Sequence, residues 1–380
     1  MEAPSLPEGH PGEDHAVDCS VLMPVLNEEH HIMASVAAMR QQRFEGRLEF
    51  IIADGGSADR TRELLRELAA QDPRIRLFEN PRRIAASGLN VALRHARGRW
   101  VARMDAHTQY TDDYLALGVA RLMRGDTRWV SGPPIAVGSG RVSRAVSLAL
   151  QRPIGRGASR KWVAEGSARD GEYELDSGLF AGVWERTTLL EYGGWDERWL
   201  CNQDSEMAGR FLERGERLVC LSPMAARYAP RNSLASLWRQ YLAYGEYREK
   251  TAVRHPQTLR SSHLLLPALV LNAGAAVVGP GRVRRAAGGG IGLYMIALAW
   301  TGVSAQRQAD EWMDAALVPA VLAVMHLAFG LGFLRGVKRH GAPLAAVASS
   351  LRLKRLALRL APESQPVFAP SLVTGDDLLR

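Results

Sequence analysis

Cysteine is scarce in this chain: Cys19, Cys201 and Cys220 are the only three in 380 residues, and no pair has CxxC spacing. Thiols so few and odd in number exclude a disulfide framework and a cysteine zinc site, and they suit a reducing compartment. The N-terminus lacks an apolar core, since Met1 to Asp18 is rich in Pro, Gly, Glu and His. That composition predicts a disordered tail and excludes a signal peptide. Acidic residues are the minority charge, 40 Asp+Glu against 48 Lys+Arg, for a formal charge of +8. The surplus suits nucleotide phosphates or lipid head groups, and the want of any recognisable nucleic-acid module ranks nucleic acid last. The length leaves room for one large or two modest domains.

Between residues 19 and 131, strand-like and helix-like runs alternate, which predicts an α/β layer with a mostly parallel sheet. Cys19 to Val25 reads as a buried strand, and a helix runs from Glu28 to about Arg40. Leu48 to Ala53 is the next strand, closed by Asp54-Gly55-Gly56, and Ser57 reads as the cap of the helix through Leu64, Leu65 and Leu68. Ile75 to Phe78, a helix over Ala85 to Ala96, and a strand ending at Asp105 complete this half. Further on, Leu179 to Trp184 reads as a strand, Asp204 to Arg214 as a helix, and Ser233 to Arg254 as another. From Gly138 to Gly171 the sequence turns irregular, with Arg141, Arg144, Arg152, Arg156, Arg160, Lys161 and Arg169 among glycines. It reads either as a solvated connection or as a mobile basic lid over a phosphorylated substrate.

After Pro256 the composition changes. Ala286 to Ala305 and Ala315 to Leu334 are uncharged and each long enough to cross a bilayer. The loop between them carries Asp310, Glu311 and Asp314 against Arg307, whereas the outer flanks carry Arg282, Arg284, Arg285 and Arg335, Lys338, Arg339. Positive charge stays cytoplasmic, which predicts two crossings with the acidic loop outside. Leu264 to Val278, short and interrupted by Pro267 and Asn272, reads as an interfacial or re-entrant segment; the alternative, three crossings, places either a basic loop or the basic tail outside. Residues 341–380 form a basic cytoplasmic tail in which Leu351 to Leu360 interleaves leucine with Arg352, Lys354, Arg355 and Arg359, as a surface-lying helix would.

The chemistry gathers at strand ends, where open α/β sheets bind ligands. Asn27, Asp54 and Asp105 all fall there. Asp105 and His107, two residues apart on extended backbone, point the same way and can share one divalent cation whose other positions phosphate oxygens fill. The segments Pro24-Val25-Leu26-Asn27-Glu28-Glu29 and Asp54-Gly55-Gly56-Ser57-Ala58-Asp59 can accept hydrogen bonds from a base or ribose, and their glycines admit a close backbone approach. Arg82 and Arg83 face a pyrophosphate or solvent.

As an ordered set these motifs resemble the inverting family 2 glycosyltransferases of GT-A fold, in the succinoglycan-type branch that builds bacterial exopolysaccharide on a lipid carrier. The resemblance rests on Val21-Leu22-Met23-Pro24, Asn27-Glu28, Asp54-Gly55-Gly56-Ser57, Asn80-Pro81-Arg82-Arg83, Asn90 and Arg103-Met104-Asp105-Ala106-His107. It continues through Asn202-Gln203-Asp204-Ser205-Glu206, Arg239-Gln240-Tyr241-Leu242-Ala243-Tyr244-Gly245, and His326 with Phe329-Gly330-Leu331-Gly332-Phe333-Leu334. It spans roughly residues 19 to 340 and implies a GT-A domain over 19–260, with a nucleotide-binding half (19–131) and an acceptor half (132–260). A membrane-associated region over 261–340 follows.

The resemblance also implies roles. Glu28 and Asp54 would meet the uracil and ribose of the donor, with Pro24, Asn27, Gly56, Ser57, Arg83, Asn90 and Arg103 beside it. Asp105 and His107, the latter replacing a usual second Asp, would hold Mn²⁺ or Mg²⁺. Asp204 would be the general base. Gln203, Glu206, Asp176, Arg239, Gln240 and Tyr244 would lie on the acceptor side, and the missing Arg-Trp after Gln240 speaks against processivity. The expected enzyme is a metal-dependent, inverting transferase on the inner membrane with its catalytic domain cytoplasmic. It would move a sugar from a nucleotide donor, most readily a UDP-sugar, to a lipid-linked or polysaccharide acceptor. The rivals are a polyprenyl-phosphate glycosyltransferase, with Arg152 to Lys161 on the lipid phosphate, and a catalytically decayed nucleotide-binding membrane protein. A nucleotidyltransferase would need a Gly-rich N-terminal loop that this chain lacks.

Overall fold

The run Cys19–Val25 forms β1, and its apolar residues are buried on both faces, as a strand in the middle of a covered sheet requires. There follow α1 (Ile32–Arg40), β2 (Leu48–Asp54), α2 (Thr61–Gln71), β3 (Ile75–Glu79), α3 (Ala85–His95), β4 (Trp100–Arg103), β5 (Thr108–Tyr110), α4 (Tyr114–Leu122), β6 (Trp129–Ser131) and β7 (Pro134–Ala136). Next come α5 (Arg141–Leu150), α6 (Pro153–Arg156), β8 (Glu172–Leu175), β9 (Gly182–Glu185), α7 (Arg186–Glu191), α8 (Gln203–Glu213), β10 (Leu218–Leu221) and β11 (Ala226–Tyr228). The chain ends in helices: α9 (Leu234–Arg254), α10 (Ser261–Val278), α11 (Gly281–Ala305), α12 (Trp312–His340), α13 (Leu344–Ser350) and α14 (Lys354–Leu360). This computed structural model describes residues 17–157 and 171–360. The expected N-terminal tail up to residue 16, the lid residues Arg160, Lys161 and Arg169, and the tail beyond 360 lie outside the described residues.

Two compact units share the described chain: 17–134 with 171–227, and 135–157 with 228–360. The division differs from the expected one near residue 131, because 171–227 returns to the sheet while 228–260 joins the helices. In the first unit eight strands take the order β3-β2-β1-β4-β9-β6-β10-β8. β3, β2, β1 and β4 are parallel neighbours, and β9 enters antiparallel between β4 and β6. The register sets Val25 beside Asp54 and Leu22 beside Arg103, so β1, β2 and β4 finish along one sheet edge. Strand alternation sends Val21, Met23, Phe50 and Ile52 to one apolar layer, with Ile32, Leu65 and Leu115 of the helices. Leu22, Ile51 and Val101 face the other layer, with Leu89, Leu93, Met207 and Phe211.

The second unit is built round α12, whose Val318, Val321, Leu322 and Met325 are buried with Leu148 of α5 and Leu237 of α9. A side chain at Gly332 would collide with the Leu242 carbonyl of α9, and one at Gly245 with the Phe329 carbonyl, so the missing side chains set how closely α9 and α12 approach. Inside this unit His326 bonds the Ile154 carbonyl through Nε2 (3.0 Å) and the Tyr294 hydroxyl through Nδ1 (2.9 Å). A carbonyl only accepts, so Nε2 carries the proton. Among the described residues three helices, α10, α11 and α12, are long and apolar enough to cross a membrane.

Several local expectations change. Ser57 does not cap α2, which starts at Thr61; its hydroxyl is taken by Asp54 (2.5 Å). α1 starts at Ile32 because residues 28–31 form a turn that carries site residues. The irregular stretch from Gly138 contains two helices, α5 and α6, since its arginines leave an apolar face of Ala145, Val146, Leu148 and Ala149 that α5 buries. Ser233 does cap α9, accepting from Ser236 N at 3.2 Å.

Candidate active site

The loops after β1 and β2 are laced together. Asn27 N donates to Ser57 Oγ (2.9 Å), Ala58 N to Asn27 Oδ1 (2.8 Å) and Glu28 N to Thr61 Oγ1 (2.7 Å). Asp54 turns its carboxylate inward on its own loop, accepting from Gly56 N, Ser57 N and Ser57 Oγ, and pairs with Arg62 Nε at 3.2 Å. Sequence reasoning missed Arg62, which lies on the exposed-looking start of α2. Asn27 sits at φ 55° and Gly56 at φ 74°, left-handed positions that let both loops turn back to the sheet edge. Pro24 is the last-but-one residue of β1, half-buried and paired in register with Ala53.

The third loop is held differently. Arg83, at φ 58°, is exposed and forms no ion pair among the described residues, and its Cα lies beside Gly55. Arg82 is paired with Glu197. Asn90 is buried, and its amide donates to the Trp195 carbonyl (2.8 Å) and Glu197 (3.0 Å) while its oxygen accepts from Trp195 N (2.9 Å). Asn90, expected beside the donor, instead braces residues 195–197; its side chain has no donor left for a ligand.

The centre of the site is Arg103. Nε and Nη2 donate to the two oxygens of Asp105 (2.8 and 2.9 Å), and Nη1 donates to Asp204 Oδ1 (2.7 Å). A fork of this kind holds a carboxylate in one plane as lysine would not. The guanidinium is buried with Asp105, and against the effect of desolvation the charges of Asp105 and the half-buried Asp204 push its pKa upward. Arg103, expected beside the donor, is turned to these two carboxylates. Asp105 is fixed further by the Tyr110 hydroxyl, which accepts from its backbone N at 2.9 Å. His107 is half-exposed and faces Glu28, Nδ1 to Oε1 at 3.0 Å; that bond raises the imidazole pKa, with the Asp105 charge adding to it.

Asp204 arrives on the first turn of α8, after Asn202 at φ 63°. Gly178 makes room for it, because a side chain there would collide with the Asp204 carbonyl. Gln203 is buried, and Asp176 stands exposed just after β8. Glu206, expected on the acceptor side, is fully buried and paired with Arg210 (2.8 Å), which also donates to the Gly194 carbonyl (2.7 Å). Its carboxylate ties α8 to the 192–194 turn, so the acceptor reading of Glu206 is withdrawn. Arg239, Gln240 and Tyr244 belong to α9 of the second unit, where Gln240 Nε2 donates to the Tyr244 hydroxyl at 3.2 Å.

A divalent cation fits this donor set. The Glu28 bond to Nδ1 fixes the His107 tautomer and leaves Nε2 for a metal, the usual carboxylate–histidine arrangement behind a ligand. Asp105 has about four lone-pair sites, and Arg103 occupies two. Among the described residues no three His, Cys, Asp or Glu side chains form a complete cage. Two protein ligands with the remainder from phosphate oxygens is the arrangement these residues allow.

A mixed sheet with acidic groups at the carboxyl ends of its parallel strands, and a second carboxylate delivered from a later helix, marks a glycosyltransferase of GT-A fold. A mannosyltransferase from Pyrobaculum calidifontis, solved with GDP-Man and Mn²⁺, shares that fold at a TM-score of 0.50 and 21% identity, over 82% of this chain and 86% of that one. The model described as glycosyl transferase family 2 matches residues 20–168. The succinoglycan biosynthesis protein ExoA of Rhizobium meliloti (strain 1021) is 31% identical over 327 residues, 83% of this chain and 93% of that one. A Methanococcus voltae glucuronosyltransferase that acts on a dolichyl-phosphate-linked sugar is 21% identical, over 60% of this chain and 71% of that one. The chain belongs to glycosyl transferase family 2.

Proposed function

We propose that the protein transfers a sugar, with inversion, from a nucleotide donor to a hydroxyl of a lipid-linked or polymeric saccharide, held at the inner membrane with its catalytic unit in the cytoplasm. The observation that carries this reading is the guanidinium of Arg103, which gathers Asp105 and Asp204 at one point. One carboxylate belongs to the donor side, the other to the acceptor side, and a single displacement needs both within one site.

The laced loops at Asn27–Glu28 and Asp54–Ser57 form the seat for base and ribose, with Asp54 acting through the shape of its loop. Exposed Arg83 stands ready for a phosphate. Asp105 and His107 would hold Mn²⁺ or Mg²⁺, which when bound supplies positive charge to the departing nucleoside diphosphate. Asp204, held in place by Arg103 Nη1, accepts the acceptor's proton as its oxygen attacks the anomeric carbon from the opposite face. UDP-linked sugars are the favoured donors. The ExoA relative supports an exopolysaccharide precursor as acceptor. Arg152, offered above for a lipid phosphate, instead donates to the Ser304 carbonyl at 2.9 Å.

The test is a panel of UDP- and GDP-sugars with Mn²⁺ and membrane lipid extract, following nucleotide release and glycosylated product. Release of UDP with an elongated lipid-linked saccharide is expected. A glycosylated lipid monophosphate would favour the rival, and tight nucleotide binding with no release across the panel would mean a decayed site.

A further inference from the structure

We propose that the second unit attaches to one leaflet of the membrane, with the α10–α11 pair lying in it, and that the loop 306–314 stays on the face of the bilayer occupied by the catalytic unit. This differs from the two-crossing arrangement expected from charge distribution, which sets that loop on the far side. It is independent of the sugar-transfer reading.

The first observation is an ion pair. Arg144 of α5 holds Asp314, almost fully buried at 1% side-chain exposure, through Nε at 2.5 Å, and Glu311 through Nη2 at 3.3 Å. Arg152, after α5, bonds the Ser304 carbonyl at the end of α11. Arg144 lies eight residues beyond Ala136, the end of β7, and the last four are already in α5, so the span is at most about 21 Å, less than the ~30 Å of hydrocarbon. The two chain segments that enter this unit also meet here: Val137 N donates to the Tyr228 carbonyl (2.9 Å) and Ser143 N to Asn232 Oδ1 (3.2 Å). An acidic loop bound to this end cannot lie across a bilayer from β7.

The second observation lies at the opposite end of α12. Glu246 of α9 pairs with Arg335 (3.2 Å) and Arg339 (2.7 Å), and Glu249 faces His340 (3.1 Å). α9 is 21 residues long, carries Arg239, Glu246, Arg248, Glu249 and Lys250, and is not among the three helices apolar enough to cross. Since α12 is bound to α5 at its start and to α9 at its end, it lies along the membrane with them. Half of its apolar window is buried, against 6% for α10 and 22% for α11.

What remains exposed is apolar. Leu265, Leu271 and Val278 of α10, and Leu293, Ile296 and Trp300 of α11, are each more than 60% exposed. Arg282, Arg284 and Arg285, at the start of α11 just after the connection from α10, are exposed and without ion pairs among the described residues. Three arginines at a hairpin tip suit the depth of anionic head groups and oppose burial at the bilayer centre. Apolar flanks beside a basic rim, with Trp300 and Trp312 exposed, fit a leaflet surface.

The test uses full-length protein in sealed membrane vesicles of either orientation, in a Cys201→Ser background that removes the one thiol that is not buried. Single cysteines are placed by Glu67→Cys on α2 as the catalytic-side reference, Gln308→Cys, Arg282→Cys and Lys338→Cys. An impermeant maleimide should label all four from the same face. Labelling of Gln308→Cys or Arg282→Cys from the opposite face overturns the proposal. In flotation with purified protein, phosphatidylglycerol-containing vesicles should carry it, and replacing Arg282, Arg284 and Arg285 with Glu should reduce the floated fraction at least fivefold. If a Leu293→Cys variant instead forms a disulfide-linked dimer in membranes, the face is covered by a second copy and the leaflet assignment fails.

Discussion

In the first unit, charge is concentrated at one edge of a sheet; in the second it is distributed to the two ends of a single helix. Asp54 closes its own loop, while Arg103 joins Asp105, two residues on, to Asp204, 101 residues away in sequence. In the helical unit, Arg144 with Asp314 and Glu246 with Arg339 anchor opposite ends of α12, and the stretch between is apolar. The lesson is that buried charge positions reacting groups in one unit and fixes helix placement in the other. Mutations should therefore separate chemistry from attachment.

The largest effect is expected at Asp204. Asp204→Asn should lower turnover by about 10²–10⁴-fold with donor affinity little changed, measured by steady-state kinetics alongside nucleotide calorimetry. A variant with normal turnover would reduce Asp204 to a charge at a helix start. Arg103→Met leaves the buried Asp105 carboxylate without its guanidinium and should cost about 3–5 kcal/mol in chemical denaturation, with Arg103→Lys recovering only part because the fork is lost. Glu28→Gln should weaken Mn²⁺ binding by about 10–100-fold, read by titration without any sugar present, if His107 is a ligand oriented from behind.

The helical unit provides the contrast. Gly332→Leu forces α9 and α12 apart and should cost about 1–3 kcal/mol, with nucleotide binding by the first unit unchanged. The smallest effect belongs to Asp72, remote from the site. Hydrogen bonds from Arg74, and then from Arg40, hold its carboxyl down to about 2. A depressed carboxyl stabilises the fold above its unfolded pKa of about 3.9 and loses that contribution as pH falls toward 2. With Arg74 partly exposed, Asp72→Asn should cost about 1 kcal/mol at neutral pH and flatten the acid limb of a pH–stability curve.

Much of the first unit was legible because its chemistry follows strand periodicity. The ends of β1, β2 and β4 fall close to where apolar runs meet Asn27, Asp54 and Asp105, and α3 needed little adjustment. The direction in which polar side chains turn was not legible. Asn90, Glu206 and Arg103 look alike in sequence as polar residues in site motifs, yet each is occupied by partners that only folding brings near. α5 was hidden for a similar reason: its arginines stand out in the composition, while its five buried apolar residues matter only against α12. For α10–α12, apolar length was readable and placement was not, since an ion pair between residues 144 and 314 has no sequence signal.

Among the described residues, three of the four non-glycine residues with left-handed backbone, Asn27, Arg83 and Asn202, stand on loops of the site. Such positions are uphill for an L-residue and persist only where their surroundings impose them. The loops are therefore moulded before any sugar nucleotide arrives, and little entropy is left to lose on docking. For anyone redirecting this enzyme to a new monosaccharide, these three pivots are fixed points, and specificity is best rewritten in the side chains strung between them.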